Sequence, residues 1–483
     1  MPREFIVAIE LGSSKMTGIA GKKNVDGSIS VLAVVREDST SCIRKGVVYN
    51  IDKTVLCLTN IVKRLETILK TKIAHVYVGV GGQSIRSVKN VIIKDLPTDT
   101  IVTQQMVDEL MDANRNMSYP EQEILNAAVQ EYKVDAQYQL DPVGIQCAHL
   151  EGNFLNILGR KAFYRNLNKC FDNAGIAIAE MFLAPLALAD NVLTEAEKRA
   201  GCLLVDLGAD TTTVSVFYKN ILRHLAVIPL GGSNITKDIE SLQIEDTSAE
   251  SMKLKYGSAF TDNSDIDNTL MFPIDEDRSV ESRKFIEIVE GRIEEIIENI
   301  WFQVPNEFVD KLLGGIILTG GGSNMKNIEL AFRKHTHIDK IRIAKFGSLT
   351  INSTDPIITN HDGTMNTVLG LLDKGNMNCA GVEITSDLFS TGEHAKPTVT
   401  TAELHKNPRP FNETIGSGVV QTEAERQAEE ELRRKKEAEE AAQRQAEEER
   451  ARKEAEERRK NSRVHKALKG LKGFLKKMTE EEE

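Results

Sequence analysis

Two short turns carry residue types suited to holding a phosphate. In the first, an apolar run ends on Glu10 and opens into Gly12, Ser13, Ser14 and Lys15. In the second, 196 residues further on, an apolar run ends on Asp206 and opens into Gly208, Thr211 and Thr212. Glycine permits positive φ and brings backbone N–H groups close to a phosphate. The hydroxyls add donors, and Lys15 adds a point charge. Asp206, with Glu10 as the weaker candidate, is suited to orienting Mg²⁺ through its waters, since that ion keeps several of them. Gly-Ser turns are also ordinary hairpin chemistry, so either turn alone says little. A third element shifts the balance. The run GGIILTGGGS at 314–323 ends an apolar strand on Gly320, Gly321, Gly322 and Ser323, ahead of a segment with helical spacing. A strand running into glycines at a helix N-terminus suits a nucleotide packed against backbone. The Walker-type P-loop signature is absent from the sequence.

The elements that must position these turns repeat. Residues 5–35 and 201–230 both read as apolar strand, turn, strand, turn, strand. The acids (Glu10, Asp206) and the glycines (Gly12, Gly208) recur at one offset. Two copies of one unit predict a two-lobed α/β protein with pseudo-twofold logic. Between them, 84–160 alternates strand-like runs with one helical run, as a small inserted subdomain would. At 280–301, Phe285, Ile288, Val289, Ile293, Ile296, Ile297 and Ile300 fall at helical spacing and read as core, with Arg292 and Glu295 off the stripe.

Charge is spread unevenly over the 483 residues. The net is -11, which argues against a generic nucleic-acid partner. Residues 423–460 hold 14 acids and 12 bases, and 461–483 hold six bases and four acids, so the first 422 residues carry the whole net. Six cysteines without a CxxC pair read as reduced core thiols. The histidines show no ligand spacing, and no apolar run spans a membrane. The N-terminus has no signal-peptide layout.

Residues 376–422, rich in Ser, Thr, Pro, Asn and Gly, read as a flexible linker. The arm 423–460 has Leu432 as its one bulky apolar residue, which excludes a coiled coil. Pairs such as Glu429/Arg433 and Glu448/Arg452 favour a solitary charged helix. The other reading is a disordered tether, and both act as a spacer. In 461–483 the residues Val464, Leu468, Leu471, Phe474, Leu475 and Met478 occupy an arc of about 120° on a helical wheel. Bases, among them Lys466, Lys469, Lys472 and Lys476, fill most of the rest. That pattern predicts an interfacial helix with its apolar face in an anionic membrane; a groove-docking helix is the alternative.

The order of two phosphate hairpins and a later triple-glycine turn is similar to the actin, sugar-kinase and heat-shock chaperone superfamily. Within it, CIRKGVVYN at 42–50, VYVGVGGQSIRSVKN at 76–90, MFLAPLALADNVLTEAEKRAG at 181–201 and AESMKLKYG at 249–257 resemble the bacterial cell-division FtsA family. The resemblance implies an actin-like, ribonuclease H-like ATPase fold. Its first lobe is 1–83 with 161–198, its inserted subdomain 84–160 and its second lobe 199–375, with an outer subdomain about 235–305. It implies ATP with Mg²⁺ in the cleft, with Gly232, Glu250 and Lys253 beside the nucleotide. It also implies self-assembly into filaments and contact with later division proteins at the cytoplasmic face of the inner membrane, at the septum. The FtsZ C-terminal peptide is expected near Arg292 and Glu295, where the alternative is a solvated ion-pair face. A kinase or chaperone ATPase of the same superfamily is the rival reading.

The chain departs from the superfamily pattern. Glu10 stands where Asp is usual, Ala209 and Asp210 interrupt the glycine run, and Thr213 replaces the final acid. A carboxylate at 210 would repel a triphosphate unless Mg²⁺ lies between them. ATPase activity is therefore expected to be weak at most, with no catalytic base assigned.

Overall fold

The computed structural model describes residues 4–345 and 347–383. The charged arm, the amphipathic tail with its membrane residues, and most of the expected linker lie outside the described residues.

The first lobe is built on a six-stranded sheet. Its inner strand Ile6–Leu11 pairs antiparallel with Lys15–Lys23, which pairs with Ile29–Asp38. Ile6–Leu11 also runs parallel to Val76–Val80, and that strand to Ile178–Leu183. Parallel strands need crossovers, and the helix Ile51–Leu69 supplies one. Asn50 caps it by accepting the N–H of Lys53, and its Leu58, Ile61 and Leu65 face the sheet.

The second lobe repeats this plan. The strand Cys202–Leu207 pairs antiparallel with Thr212–Tyr218, which pairs with Ile221–Ile228, and runs parallel to Gly315–Thr319. Helix Ser282–Gln303 buries Phe285, Val289, Ile293, Ile296, Ile297 and Ile300 against this sheet, while Ile288 stays partly exposed.

The segment between the lobes contributes strands Arg86–Ile101, Gln122–Val134 and Gln146–Arg160 and the helix Gln104–Arg115. Its sheet joins the sheet of the second lobe at the pair Arg86↔Ala226. Gln130 donates to the Leu222 carbonyl at 3.0 Å, and Ser87 Oγ accepts the Leu225 N–H at 2.8 Å. A subdomain inserted in the first lobe's sequence therefore packs on the second lobe's sheet.

Two expected boundaries shift. The second lobe is expected to run through residue 375, but Ile351–Asn352 pairs with the Ile29 edge of the first sheet. Helix Asn366–Lys374 then buries Val368, Leu369, Leu371 and Leu372 in the first lobe's core. The expected linker also begins too early. Cys379 N–H donates to the Phe5 carbonyl at 2.8 Å, and Ala380–Glu383 pairs antiparallel with Thr71–Ile73. The apolar face of the helix and the unpaired edge of Thr71–Ile73 account for the return. The 181–201 segment also begins as strand, through Leu183, before helices Ala184–Val192 and Glu195–Ala200.

Candidate functional site

The two turns are built alike down to register. Glu10 faces Thr17 and Leu11 faces Met16; Asp206 faces Thr213 and Leu207 faces Thr212. All four partners keep the offset of 196. A Cβ on Gly12 would stand 2.6 Å from the Lys15 carbonyl oxygen, and one on Gly208 would stand 2.7 Å from that of Thr211. Each turn therefore closes only around glycine. Gly208 N–H in addition donates to the Thr211 carbonyl at 2.9 Å.

The parallel neighbours match as well. Gly79 lies beside Glu10, and Thr319 beside Asp206. The strand ends Val80-Gly81-Gly82 and Gly320-Gly321-Gly322 thus occupy corresponding places. Sequence reading missed the first of these, because two glycines after a strand carry little signal without the parallel register. Gly320 has φ of 81°, and a Cβ there would meet Asp206 Oδ1 at 2.4 Å. Gly322 lies against Leu207. The triple glycine is a 3-10 turn, Gly321–Asn324, and the α-helix begins only at Ile328. This differs from the expected direct entry into a helix N-terminus.

Gly232, Glu250 and Lys253 form one cluster beside the second turn. Lys253 Nζ donates to Glu250 Oε2 at 2.6 Å, to Thr236 Oγ1 at 2.9 Å and to the Gly232 carbonyl at 3.1 Å. Gly232 N–H donates to the Gly208 carbonyl at 3.0 Å, which joins cluster and turn. Two of the expected hydroxyl donors are instead engaged inside the protein, and a third hydroxyl acts there as an acceptor. Thr212 donates to the Leu230 carbonyl at 2.9 Å, Ser323 to that of Gly320 at 2.7 Å, and Ser13 Oγ accepts the Gly46 N–H at 2.8 Å. Ser14 and Thr211 are partly exposed at the turns. Lys15 is exposed and has no carboxylate partner among the described residues.

The two acids face one environment. Burial pushes Glu10 up to about 8; the charge of Asp206 adds to the rise, while Arg36 and a hydrogen bond from Thr367 oppose it. Burial pushes Asp206 up to about 6. Desolvated oxygen ligands that resist ionisation are the donor set a hard divalent cation stabilises. The residues fit Mg²⁺, with Asp206 as the principal holder. Of the two, Glu10 is raised further, because the charge of Asp206 adds to its burial.

Away from the cleft, helices Gly232–Glu240 and Ser282–Gln303 enclose a surface groove lined by Lys237, Asp238, Ser241, Ile288, Gly291, Arg292 and Glu295. Arg292 holds Asp238 with two bonds, Nε to Oδ2 at 2.5 Å and Nη2 to Oδ1 at 3.1 Å, and also pairs with Glu295. Those bonds push its guanidinium above its ordinary value. The structure thus brings Arg292 and Glu295 together in the lining of a groove that Ile288 also lines.

Comparison with known proteins bears on this arrangement. Residues 203–363 match the model of "Cell division protein FtsA", and residues 82–158 match "SHS2 domain inserted in FTSA". A cell division protein FtsA of Porphyromonas gingivalis is 30% identical, over 84% of this chain and 84% of its own length. The chain belongs to the FtsA family. A second FtsA, from Neisseria meningitidis, is 33% identical over 68% of this chain and 80% of its own length. Among solved structures, a chain of the "PilM-PilN type IV pilus biogenesis complex" matches with a TM-score of 0.54 at 14% identity, over 77% of this chain and 98% of that one. At that identity the likeness shows the fold alone, and the fold of this FtsA-family chain is the actin-like one. No helix among the described residues is long and apolar enough to cross a membrane.

Proposed function

We propose that this FtsA-family chain is a nucleotide-binding scaffold that tethers FtsZ filaments to the cytoplasmic membrane at the division septum. The observation that carries the reading is the pair of register-matched glycine turns, with Asp206 and Glu10 behind them. The turns are suited to the phosphates of ATP, and Asp206, with Glu10 as the weaker candidate, would hold Mg²⁺. When bound, that ion supplies charge neutralisation to the phosphates. The chain's own residues close the turns, through Gly12 and Gly208, and offer Lys15 as the exposed cation. ATPase activity is weak at most, since Ala209 and Asp210 interrupt the glycine run of the second turn.

The groove at Arg292 is the proposed seat of the FtsZ C-terminal peptide. It combines a half-buried arginine, suited to a carboxylate, with the apolar Ile288. The tail 461–483 supplies the membrane grip from its sequence pattern, and the arm 423–460 spaces it from the body. Self-association into filaments and contact with later division proteins complete the reading.

Flotation on anionic vesicles tests the tether. Full-length protein floats, and a chain ending at residue 460 stays at the bottom of the gradient; equal flotation of both overturns the tether. The cleft is tested separately by thermal melting. ATP with Mg²⁺ raises the melting temperature of the wild type, and Lys15→Ala removes most of that rise.

A further inference from the structure

One dipeptide of the first lobe spans the tips of both turns. Lys45 N–H donates to Asp210 Oδ2 at 3.0 Å, and Gly46 N–H donates to Ser13 Oγ at 2.8 Å. Lys45 and Gly46 both have positive φ, 50° and 72°. They are held from behind as well: Gln83 N–H donates to the Lys45 carbonyl at 2.8 Å, and a Cβ on Gly46 would stand 2.4 Å from the Gly82 Cα. Successive N–H groups fixed in such a turn make an anion receptor. The anion that Lys45 N–H holds in this structure is the chain's own carboxylate.

Asp210 sits at a telling step. The common offset of 196 makes its counterpart in the first turn Ser14, a small neutral residue. With Asp210 on one turn and Ser13 on the other joined to adjacent N–H groups, the carboxylate lies between the turns. Any phosphate chain cradled there meets a fixed negative charge and finds one backbone donor already engaged. Like charges repel, and the effect grows with the charge of the terminal phosphate.

We propose that Asp210 is a specificity-determining residue that stands in for the terminal phosphate of a nucleoside triphosphate, so that the cleft closes on a nucleoside diphosphate and discriminates against the triphosphate. The proposal rests on the nucleotide reading of the cleft. It makes the bridged cleft reachable without a third phosphate: Asp210 joins second lobe to first in its place.

Titration calorimetry on the full chain, with Mg·ADP and with the Mg complex of a non-hydrolysable ATP analogue, tests it. The wild type binds the diphosphate at least tenfold tighter. Asp210→Asn keeps an oxygen for Lys45 N–H and removes the charge; it tightens triphosphate binding at least tenfold and leaves the diphosphate within threefold. Asp210→Ser, which cannot span to Lys45 in the same way, gives the same relief and guards against a folding defect in one variant. A wild type that favours the triphosphate, or variants that leave the ratio of the two affinities unchanged, overturn the proposal while the nucleotide reading stands. Absence of binding by either nucleotide, in wild type and variants alike, overturns both.

Discussion

Glu10 and Asp206 occupy the same step of two hairpins, each paired across its hairpin with a threonine, Thr17 or Thr213, and each followed two residues later by an obligatory glycine. The equivalence is one of backbone, and it extends to the parallel strands Val76–Val80 and Gly315–Thr319. Chemistry has diverged within it. The first turn carries Ser14 and an exposed lysine, and the second carries Asp210. A symmetric frame thus holds a cleft that is cationic on one side and anionic on the other.

Gly208→Ala should be costly in both stability and ligand binding. Its Cβ would stand 2.7 Å from the Thr211 carbonyl, well inside contact distance, and backbone rather than a flexible side chain must yield. A loss of about 1–3 kcal/mol is expected in urea unfolding. ATP-dependent thermal stabilisation should fall with it. Gly291→Ala, in the interior of helix Ser282–Gln303 where nothing lies within 4 Å of the new Cβ, should leave the ATP response unchanged and raise stability by about 0.5–1 kcal/mol.

Lys253→Met should destabilise the second lobe. The ammonium is almost wholly buried and satisfies Glu250, Thr236 and the Gly232 carbonyl together. Methionine fills the space but leaves those acceptors short of a donor, at a cost of about 1–3 kcal/mol. The double variant Lys253→Met with Glu250→Gln should recover part of the loss, measured as a coupling in a double-mutant cycle.

How far the sequence discloses this molecule depends on whether a feature lives in side-chain types or in backbone. The matched hairpins are visible because acid, glycine and hydroxyl recur at fixed spacing, and the stripe of Ser282–Gln303 because burial follows the helical period. The return of 347–383 to the first lobe is invisible: Val368, Leu369, Leu371 and Leu372 mark an apolar face but do not say which sheet it covers. The Lys45–Asp210 bridge is hidden for a different reason. Its donor is a backbone N–H, which every residue but proline has. Thr212 and Ser323 show the converse: hydroxyls that look like free donors in the sequence are committed to the protein's own backbone carbonyls.

Acid should weaken the packing of Glu195–Ala200 in a defined window. Burial alone would raise Glu197, but two bonds from Arg342 (2.6 and 2.9 Å), the Thr194 N–H and hydroxyl, and the arginine charge together hold it down to about 2. The unfolded chain titrates near the ordinary value of 4.5. A depressed carboxylate contributes stability above the unfolded value and loses it as pH falls from about 4.5 toward about 2. Glu197→Gln should therefore cost about 1–2 kcal/mol at pH 7, less than the full shift implies because solvent screens this partly open pair. Its urea midpoint and that of the wild type should converge as pH is lowered through that window. A gap that stays constant with pH would mean that the charge is not what stabilises.

Arg292 has two tasks, and they can be separated. It joins the two groove-forming helices through Asp238, and it presents a guanidinium to the groove beside Ile288. Arg292→Ala should weaken binding of a peptide matching the cognate FtsZ C-terminus at least tenfold, which is about 1.4 kcal/mol. That loss alone would not distinguish a lost contact from splayed helices. Asp238→Asn supplies the distinction, because it weakens the same link between the helices and leaves the arginine charge in place, now free of its strongest partner. If the arginine acts on the peptide directly, fluorescence anisotropy should give Asp238→Asn an affinity equal to or tighter than wild type, together with steeper dependence on salt. If Arg292 serves only to hold the helices together, Asp238→Asn should lose affinity in parallel with Arg292→Ala, and the groove would then be a structural seam with the peptide seated elsewhere.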